Sequence, residues 1–352
     1  MTSSPSLRRG HAPAFVVLFN ESINSTNHGD QVILESFLKE TAGILEGHFV
    51  CHFAPFPALE ELIEIARRAT VCLHVGTNCM VSRLETTTPK PEATLRLSNN
   101  LLLCGVGWGN YERRPPTSFT LQFYNRVLRN GWFHSVRDSY TAAKLAAYGV
   151  RVLNTGCPSI WCLTPAHCAE IPREPSEAAV VTLTKFRRDP VQDRVLLRVV
   201  STYYRRIYFW RAQWEDGEYL RELGGLSCIE LPPSLAGLDE LLRSSKVDYV
   251  GTRLHAGIRA LQWRRRAIIV GVDNRAVEMA KDFGLPVVPR AELCARLEAL
   301  VREAWPTMVQ LDQDAINIWK RQLRAILNER TSSPALDSRE PCKPYGGCIE
   351  GV

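Results

Sequence analysis

Arg253 and His255 stand two residues apart in the run VGTRLHAGIRAL, residues 250–261. A guanidinium presents a planar fork to an anion, and an imidazole moves protons near neutral pH. Together they suit a small anionic substrate and acid/base chemistry on it. Residues 247–250 form a short apolar run, expected as a strand, closed by Gly251-Thr252. Thr252 has the side chain of an N-cap. Leu254, Ile258 and Leu261 then fall at i, i+4 and i+7, one apolar helix face, and residues 267–270 read as the next strand. Arg253 and His255 are therefore expected in the first helical turn at a strand's carboxyl end, where free N–H groups and the helix dipole favour an anion. A plain helix start, with a capping Thr252, an exposed Arg253 and a packed His255, fits the same spacing.

The elements needed to position these residues recur along the chain. Residues 14–19 are an unbroken apolar run of the kind buried in parallel sheets. A polar loop, 20–28, leads into a helix opened by Gly29-Asp30. Further strands are expected at 48–53, 71–75, 100–104, 132–136 and 150–153, with helices near 58–67, 93–98 and 139–148, the last capped by Asp138. Residues 165–178 (PAHCAEIPREPSEA) break the alternation. It restarts with strands at 179–183, 207–210, 227–231 and 287–288. Helices are expected from Asp189-Pro190, an N-cap followed by proline at the first position, and at 214–223, 235–244, 276–283 and 291–303. A last helix, 309–327, is placed to fold back on the first half. Alternation of this kind predicts an α/β protein built of two doubly wound, Rossmann-like domains with an interdomain cleft. The boundaries are a flexible 1–12, a first domain over 13–170, a linker at 171–178, a second domain over 179–330 and a disordered 331–352. Asp30, at the end of the first strand's loop, is placed to meet a ligand or merely to cap its helix.

Composition sets outer limits. The 352 residues carry 43 Lys and Arg against 37 Asp and Glu, a net +6. That excess suits an anionic substrate or an acidic membrane surface and does not imply nucleic acid. No apolar run approaches the ~20 residues that span a bilayer, and none follows the early Arg pair as a secretory signal would. The 11 cysteines include no C-x-x-C pair, so a reducing cytoplasm is expected. Cys157, Cys162, His167 and Cys168 match no common zinc spacing, and no metal is expected. Gly105, Gly107 and Gly109 do not fit the dinucleotide fingerprint, so NAD is not expected either.

The run VGTRLHAGIRAL with VDNRA at 272–276 resembles the polysaccharide pyruvyl transferase family. Asn27-x-Gly29-Asp30 and SVRD at 135–138 match the family's pattern as well. The likeness extends over roughly residues 14–305. Two positions depart from it. Gly76-Thr77-Asn78 stands where the family has a glycine cluster, and Cys157 where many relatives carry Asp.

The resemblance implies a glycosyltransferase-B-like architecture, with the first domain on the acceptor side and the second on the donor side. It implies transfer of the enolpyruvyl group of phosphoenolpyruvate onto two hydroxyls of one sugar, in a cell-surface polysaccharide or its lipid-linked precursor. No cofactor is implied; phosphoenolpyruvate is the donor substrate. Such a donor bears a phosphate and a carboxylate, so more than one cationic contact is needed. Arg253 matches the family's Arg and would be one; Lys185, Arg187 and Arg188, in the turn after the strand at 179–183, are the nearest supply for the other, or else a solvated basic turn. His255 is the candidate acid for the methylene carbon, and the base would be His255 itself or Asp30. Asn27, Gly29, Asp273 and Asn274 complete the expected binding set. A helix N-terminus disfavours a charged imidazole, so His255 is expected to become a competent acid once a dianionic donor is bound. A lipid-linked acceptor would bring the protein to the inner face of the membrane. Two rival readings stand beside this one. One is a nucleotide-sugar transferase of the same architecture, although residues 253–276 lack the E-x7-E pair of many such enzymes. The other is a non-catalytic glycan-binding relative.

Overall fold

Twelve strands, all paired in parallel, carry the framework of the computed structural model, which describes residues 12–55, 59–88, 90–97 and 100–329. The expectations for 1–12 and 331–352 concern residues that lie, but for Ala12, outside that description. Strands β1 (Phe15–Phe19), β2 (Phe49–Phe53), β3 (Val71–Val75) and β4 (Leu101–Cys104) form a four-stranded sheet in the order β2-β1-β3-β4. Strands β5 (His134–Val136) and β6 (Val152–Asn154) form a separate pair beside it. Strands β7 (Ala178–Thr182), β8 (Arg206–Phe209), β9 (Ile229–Glu230), β10 (Asp248–Gly251), β11 (Ala267–Gly271) and β12 (Val287–Pro289) form a six-stranded sheet in the order β12-β11-β10-β7-β8-β9. Val16–Phe19 and β3, β7, β10 and β11 are buried nearly throughout, as both-face-covered parallel strands must be. The class is α/β.

Each sheet has a point where its strand order reverses. In the six-stranded sheet β7 leads outward to β8 and β9, while β10 leads the other way to β11 and β12, so the reversal lies between β7 and β10. There Thr182 is in register with Gly251. In the four-stranded sheet it lies between β1 and β3. Loops diverge at such points and leave a crevice beyond the strands' carboxyl ends, where α/β sheets bind ligands.

Short polar side chains fix where the helices begin. Asn27 caps His28–Leu45, Asp138 caps Ser139–Ala146 and Asp189 caps Pro190–Tyr203. The helix Leu235–Ser244 occupies the residues expected for it. The break at 165–178 holds a short helix, Pro165–Ala169, and residues 118–128 form a helix, Ser118–Phe123, that runs into a wider turn, Tyr124–Leu128; neither stood out as periodic.

Thr252 is corrected as a cap. The N-cap of Leu254–Gln262 is Arg253, and no side chain caps that helix. The Thr252 hydroxyl pairs instead with Thr184 Oγ1 at 2.8 Å, across the ends of β10 and β7.

One buried apolar cluster includes Val32 and Phe37 of the first helix together with Tyr249, Ile258 and Leu261, so the two sheets' layers meet in shared packing. Two further clusters are local, one around Val17, Cys72 and Leu103 and one around Val181, Phe209 and Val270. The last helix, Gln313–Glu329, lies against the first half. Trp319 donates to the Leu103 carbonyl at 3.1 Å, Lys320 pairs with Glu40 at 2.7 Å, and Gln322 bonds both main-chain groups of Phe133.

Candidate active site

A narrow cleft opens at the β7/β10 reversal, with about 30 Å³ of room for water-sized groups, well below the roughly 300–1,000 Å³ usual for small-molecule sites. Thr184 follows β7 there, and Thr252, Arg253 and His255 follow β10. Val272, Asp273 and Arg275 come from the end of β11, and Asn27 and Gly29 from the first helix. Gly29 packs close to His255: a Cβ there would stand 3.4 Å from the Cβ of His255, an ordinary contact. Three helix N-termini meet at this cleft, those of His28–Leu45, Leu254–Gln262 and Asn274–Phe283. Two are capped internally, by Asn27 on Gly29 N and by Asp273 on Arg275 N and Ala276 N. The middle one has no side-chain cap, and its first turn carries His255. An uncapped helix start in a crevice is an anion site in waiting.

His255 is buried, 5% exposed, with Nε2 3.7 Å from the Cys157 thiol. Ser159 Oγ donates to that sulfur at 3.1 Å. Burial holds the His255 pKa well below its ordinary value, and the charges of Arg275 and Arg137 push it further down; Asp273 opposes them. The ring is therefore neutral in the empty site. The sequence expected a neutral ring from the helix dipole, whereas burial and two guanidiniums are the physical causes found here.

Arg253 sits at the expected place with its fork engaged. Nε donates to Asp216 Oδ2 at 3.0 Å and to the Leu183 carbonyl at 3.1 Å. Nη2 donates to both Asp216 oxygens at 2.5 and 2.6 Å and to Gln213 Oε1 at 2.9 Å. Asp216 is fully buried. Nη1 makes none of these bonds.

The basic turn after β7 faces elsewhere. Lys185 pairs with Glu218 at 2.5 Å and Glu222 at 3.8 Å, Arg188 with Glu222 at 3.3 Å, and Arg187 reaches Asn110 at 3.4 Å. None of the three lines the cleft, but Phe186 between them does. The helix Glu215–Glu222 is acidic along the face that meets this turn, and it draws the cations to itself.

Asp273 lines the cleft and pairs with Arg275 at 2.5 Å. Asn274 turns away and donates to the Trp108 carbonyl at 2.9 Å, tying the β11 loop to the first half. Asp30 does not line this cleft. It faces an adjoining trough and accepts a 2.5 Å bond from Ser25.

Two cations that the sequence reading did not assign to the site belong near it. Arg275 lines the cleft. Arg137, the third residue of SVRD, is fully buried; Nη2 bonds the Thr77 carbonyl and Asn78, while Nε and Nη1 are buried without partners. Gly107 makes room for it, since a Cβ there would stand 2.2 Å from Nη2. A buried guanidinium stays charged, so unpartnered nitrogens there ask for an anion. Its charge is felt at His255, Cys157, Asp30 and Asp273. Its spacing from Asp138 read as helix capping, and only the fold brings it under the site. Among the described residues no group of three or more His, Cys, Asp or Glu could hold a metal ion.

The family model for polysaccharide pyruvyl transferase matches residues 27–274, which is 248 of the 352 residues. The chain belongs to that family. The matched span begins at the helix cap Asn27 and ends at Asn274, so it takes in nearly every residue lining the cleft. A search of curated proteins finds no match. Among the described residues no helix of this pyruvyl transferase family member is long and apolar enough to cross a membrane.

Proposed function

We propose that the protein transfers the enolpyruvyl group of phosphoenolpyruvate onto two hydroxyls of a sugar, in a cell-surface polysaccharide or its lipid-linked precursor, forming a cyclic ketal. The observation that carries the reading is the uncapped start of Leu254–Gln262, with neutral His255 in its first turn and Arg275 beside it. A phosphate and a carboxylate held there meet free N–H groups and guanidinium charge at once. Asp273 holds Arg275 in the empty site, and the donor would compete for that fork.

In this reading His255 changes state with occupancy. Empty, it is neutral for the reasons given. The donor's phosphate offsets the Arg275 and Arg137 charges that depress its pKa, so the ring takes up a proton beside the substrate. Passing that proton to the methylene carbon makes the central carbon electrophilic, and a sugar hydroxyl adds to it. Arg253 acts by holding the loop through Asp216, with Nη1 as its remaining contact. The two sheets then stand as two domains, 13–170 and 179–330, in a glycosyltransferase-B-like arrangement, with acceptor and donor on opposite sides. The protein would work in the cytoplasm, at the inner face of the membrane where a lipid-linked acceptor is presented.

A thermal-shift comparison of phosphoenolpyruvate with a panel of nucleotide sugars tests the donor. A ligand at 100 times its Kd adds about 2.7 kcal/mol of apparent stability. Stabilisation by phosphoenolpyruvate and by no nucleotide sugar is expected; the reverse pattern would make the protein a nucleotide-sugar transferase.

A further inference from the structure

The four-stranded sheet has a reversal point of its own, between β1 and β3, and a second cavity opens on it. This trough has about 380 Å³ of room for water-sized groups. Glu21 and Ser25 enter it from the loop after β1, Thr77 and Asn78 from the loop after β3, and Asp30 from the first helix. Asn27, Phe186 and Arg275 line both the trough and the donor cleft, so the two are neighbours with a shared wall.

The trough's chemistry is unlike the cleft's. The cleft gathers helix starts and guanidiniums, whereas the trough adds two carboxylates, amides and hydroxyls to the Phe186 ring and Arg275 that both share. Phe186 is 56% exposed, its ring open to the trough while the Arg253 guanidinium lies 5.2 Å from its centroid. Thr77 adopts φ 65°, the left-handed region that a β-branched residue avoids. In that conformation its hydroxyl donates to Glu21 at 3.4 Å. Strain of this kind persists where the surroundings over-determine it, and it concentrates at binding sites.

We propose that the trough is the acceptor site: Glu21 and Asp30 each accept a hydrogen bond from one of the two reacting sugar hydroxyls, and Phe186 packs against a face of the sugar ring. This rests on the transferase reading above and adds the acceptor's contacts to it. Carboxylates and a ring face are the usual partners of a sugar's hydroxyls and C–H surface, amphipathic groups that fix orientation as well as affinity. Burial raises the pKa of both carboxyls. Asp30's charge raises Glu21 further and Thr77's bond pulls it back, while Ser25's bond and the Arg275 and Arg137 charges pull Asp30 back. His74 lies behind Glu21 at 3.9 Å.

The proton inventory closes with this pair. The first hydroxyl adds to the central carbon while His255 protonates the methylene carbon, and its own proton passes to Asp30. The carbon–oxygen bond to phosphate then breaks, phosphate leaving with the electron pair. The second hydroxyl closes on the same carbon and gives its proton to Glu21. Of the two protons held by the carboxyls, one restores His255 and the other departs on phosphate.

Glu21→Gln and Phe186→Ala test the assignment, with the methyl glycosides of glucose, galactose and mannose as probes. Each protein is titrated with each glycoside by ligand-observed NMR, with and without phosphoenolpyruvate, and its affinity for phosphoenolpyruvate is measured alone. At least one glycoside should bind the wild type saturably. Glu21→Gln should weaken that binding about tenfold or more, the value of one hydrogen bond to a charged group, and should keep phosphoenolpyruvate affinity within about twofold; Phe186→Ala should weaken glycoside binding as well. Saturable binding of none of the three to the wild type, or glycoside affinities unchanged in both variants, would overturn the proposal. The expected glycoside pattern without any phosphoenolpyruvate binding would support the trough and count against the donor reading alone.

Discussion

Replacing Arg253 with Met should destabilise the protein before it reports on the donor. Arg253 is 7% exposed and Asp216 is fully buried, and five hydrogen bonds leave the guanidinium for Asp216, Gln213 and the Leu183 carbonyl. Removing one partner of a buried pair strands the other charge, which costs about 3–5 kcal/mol. Unfolding entropy near 2.1 cal/mol/K per residue, over 352 residues, makes 1 kcal/mol worth roughly 1.4 °C if the chain melts as one unit. The expected fall in Tm is therefore about 4–7 °C. The double variant Arg253→Met/Asp216→Leu removes both charges and should recover much of that loss, because an apolar replacement of a whole buried pair is often near neutral. Arg253→Lys should fall between, since one ammonium cannot serve four acceptors in a plane. Differential scanning calorimetry of the three variants checks the series. An unchanged Tm for Arg253→Met, with donor affinity lost, would refute the reasoning and return the fork to the donor.

Other outcomes follow from the same site. His255→Gln should bind phosphoenolpyruvate within a few-fold and lose about 10² to 10⁴ in turnover at saturating donor; near-normal turnover in a stable variant would remove it as the acid. Cys157→Asp places a carboxylate beside His255 Nε2, so the alkaline fall of kcat/KM should move to higher pH; an unmoved profile would show that His255 is not the group titrating. His134 is buried with its pKa lowered to about 4 by burial, and its Nδ1 accepts from Leu103 N at 3.2 Å, so protonation must break that bond. A depressed histidine binds its proton in the unfolded state first, so stability falls as pH drops below about 6.5 and levels off near 4. Relative to His134→Gln, the wild type should lose about 2 kcal/mol between pH 7 and pH 5. Urea unfolding of the pair at both pH values checks this, and a pH-independent difference would contradict it.

Strand and helix alternation was legible because buried parallel strands are largely apolar runs, as at Phe15–Phe19 and Ala267–Gly271. His255, Asn27, Gly29 and Asp273 were legible because they sit at helix starts following strands, where position alone brings them to a sheet's crevice. Pairing between distant elements was not. Asp216 lies in a short helix, EDGEYLRE, whose composition reads as solvated surface, yet it is the buried partner of Arg253. The same helix takes Lys185 and Arg188, through Glu218 and Glu222, and leaves Phe186 at the cleft. Arg137 and Glu21 carry no periodic signal; one is read as the neighbour of a cap and the other as a loop residue. Only the positions of β1, β3 and β5 give them a shared neighbourhood. Thr252 shows the same limit at short range, because its hydroxyl found Thr184 across the strand ends rather than its own helix.

Transfer run in D₂O tests the central claim most directly. Supplied with [3-¹³C]phosphoenolpyruvate and a lipid-linked saccharide extract as acceptor, the protein should release phosphate and form a ¹³C methyl ketal on the sugar. Proton delivery from exchanged His255 should leave one deuterium on each new methyl group in the wild type, and His255→Gln should form the product far more slowly. Release of phosphate without a sugar-bound methyl carbon, or a sugar-bound vinyl carbon carrying no deuterium, would contradict ketal formation through a protonated ring at this site.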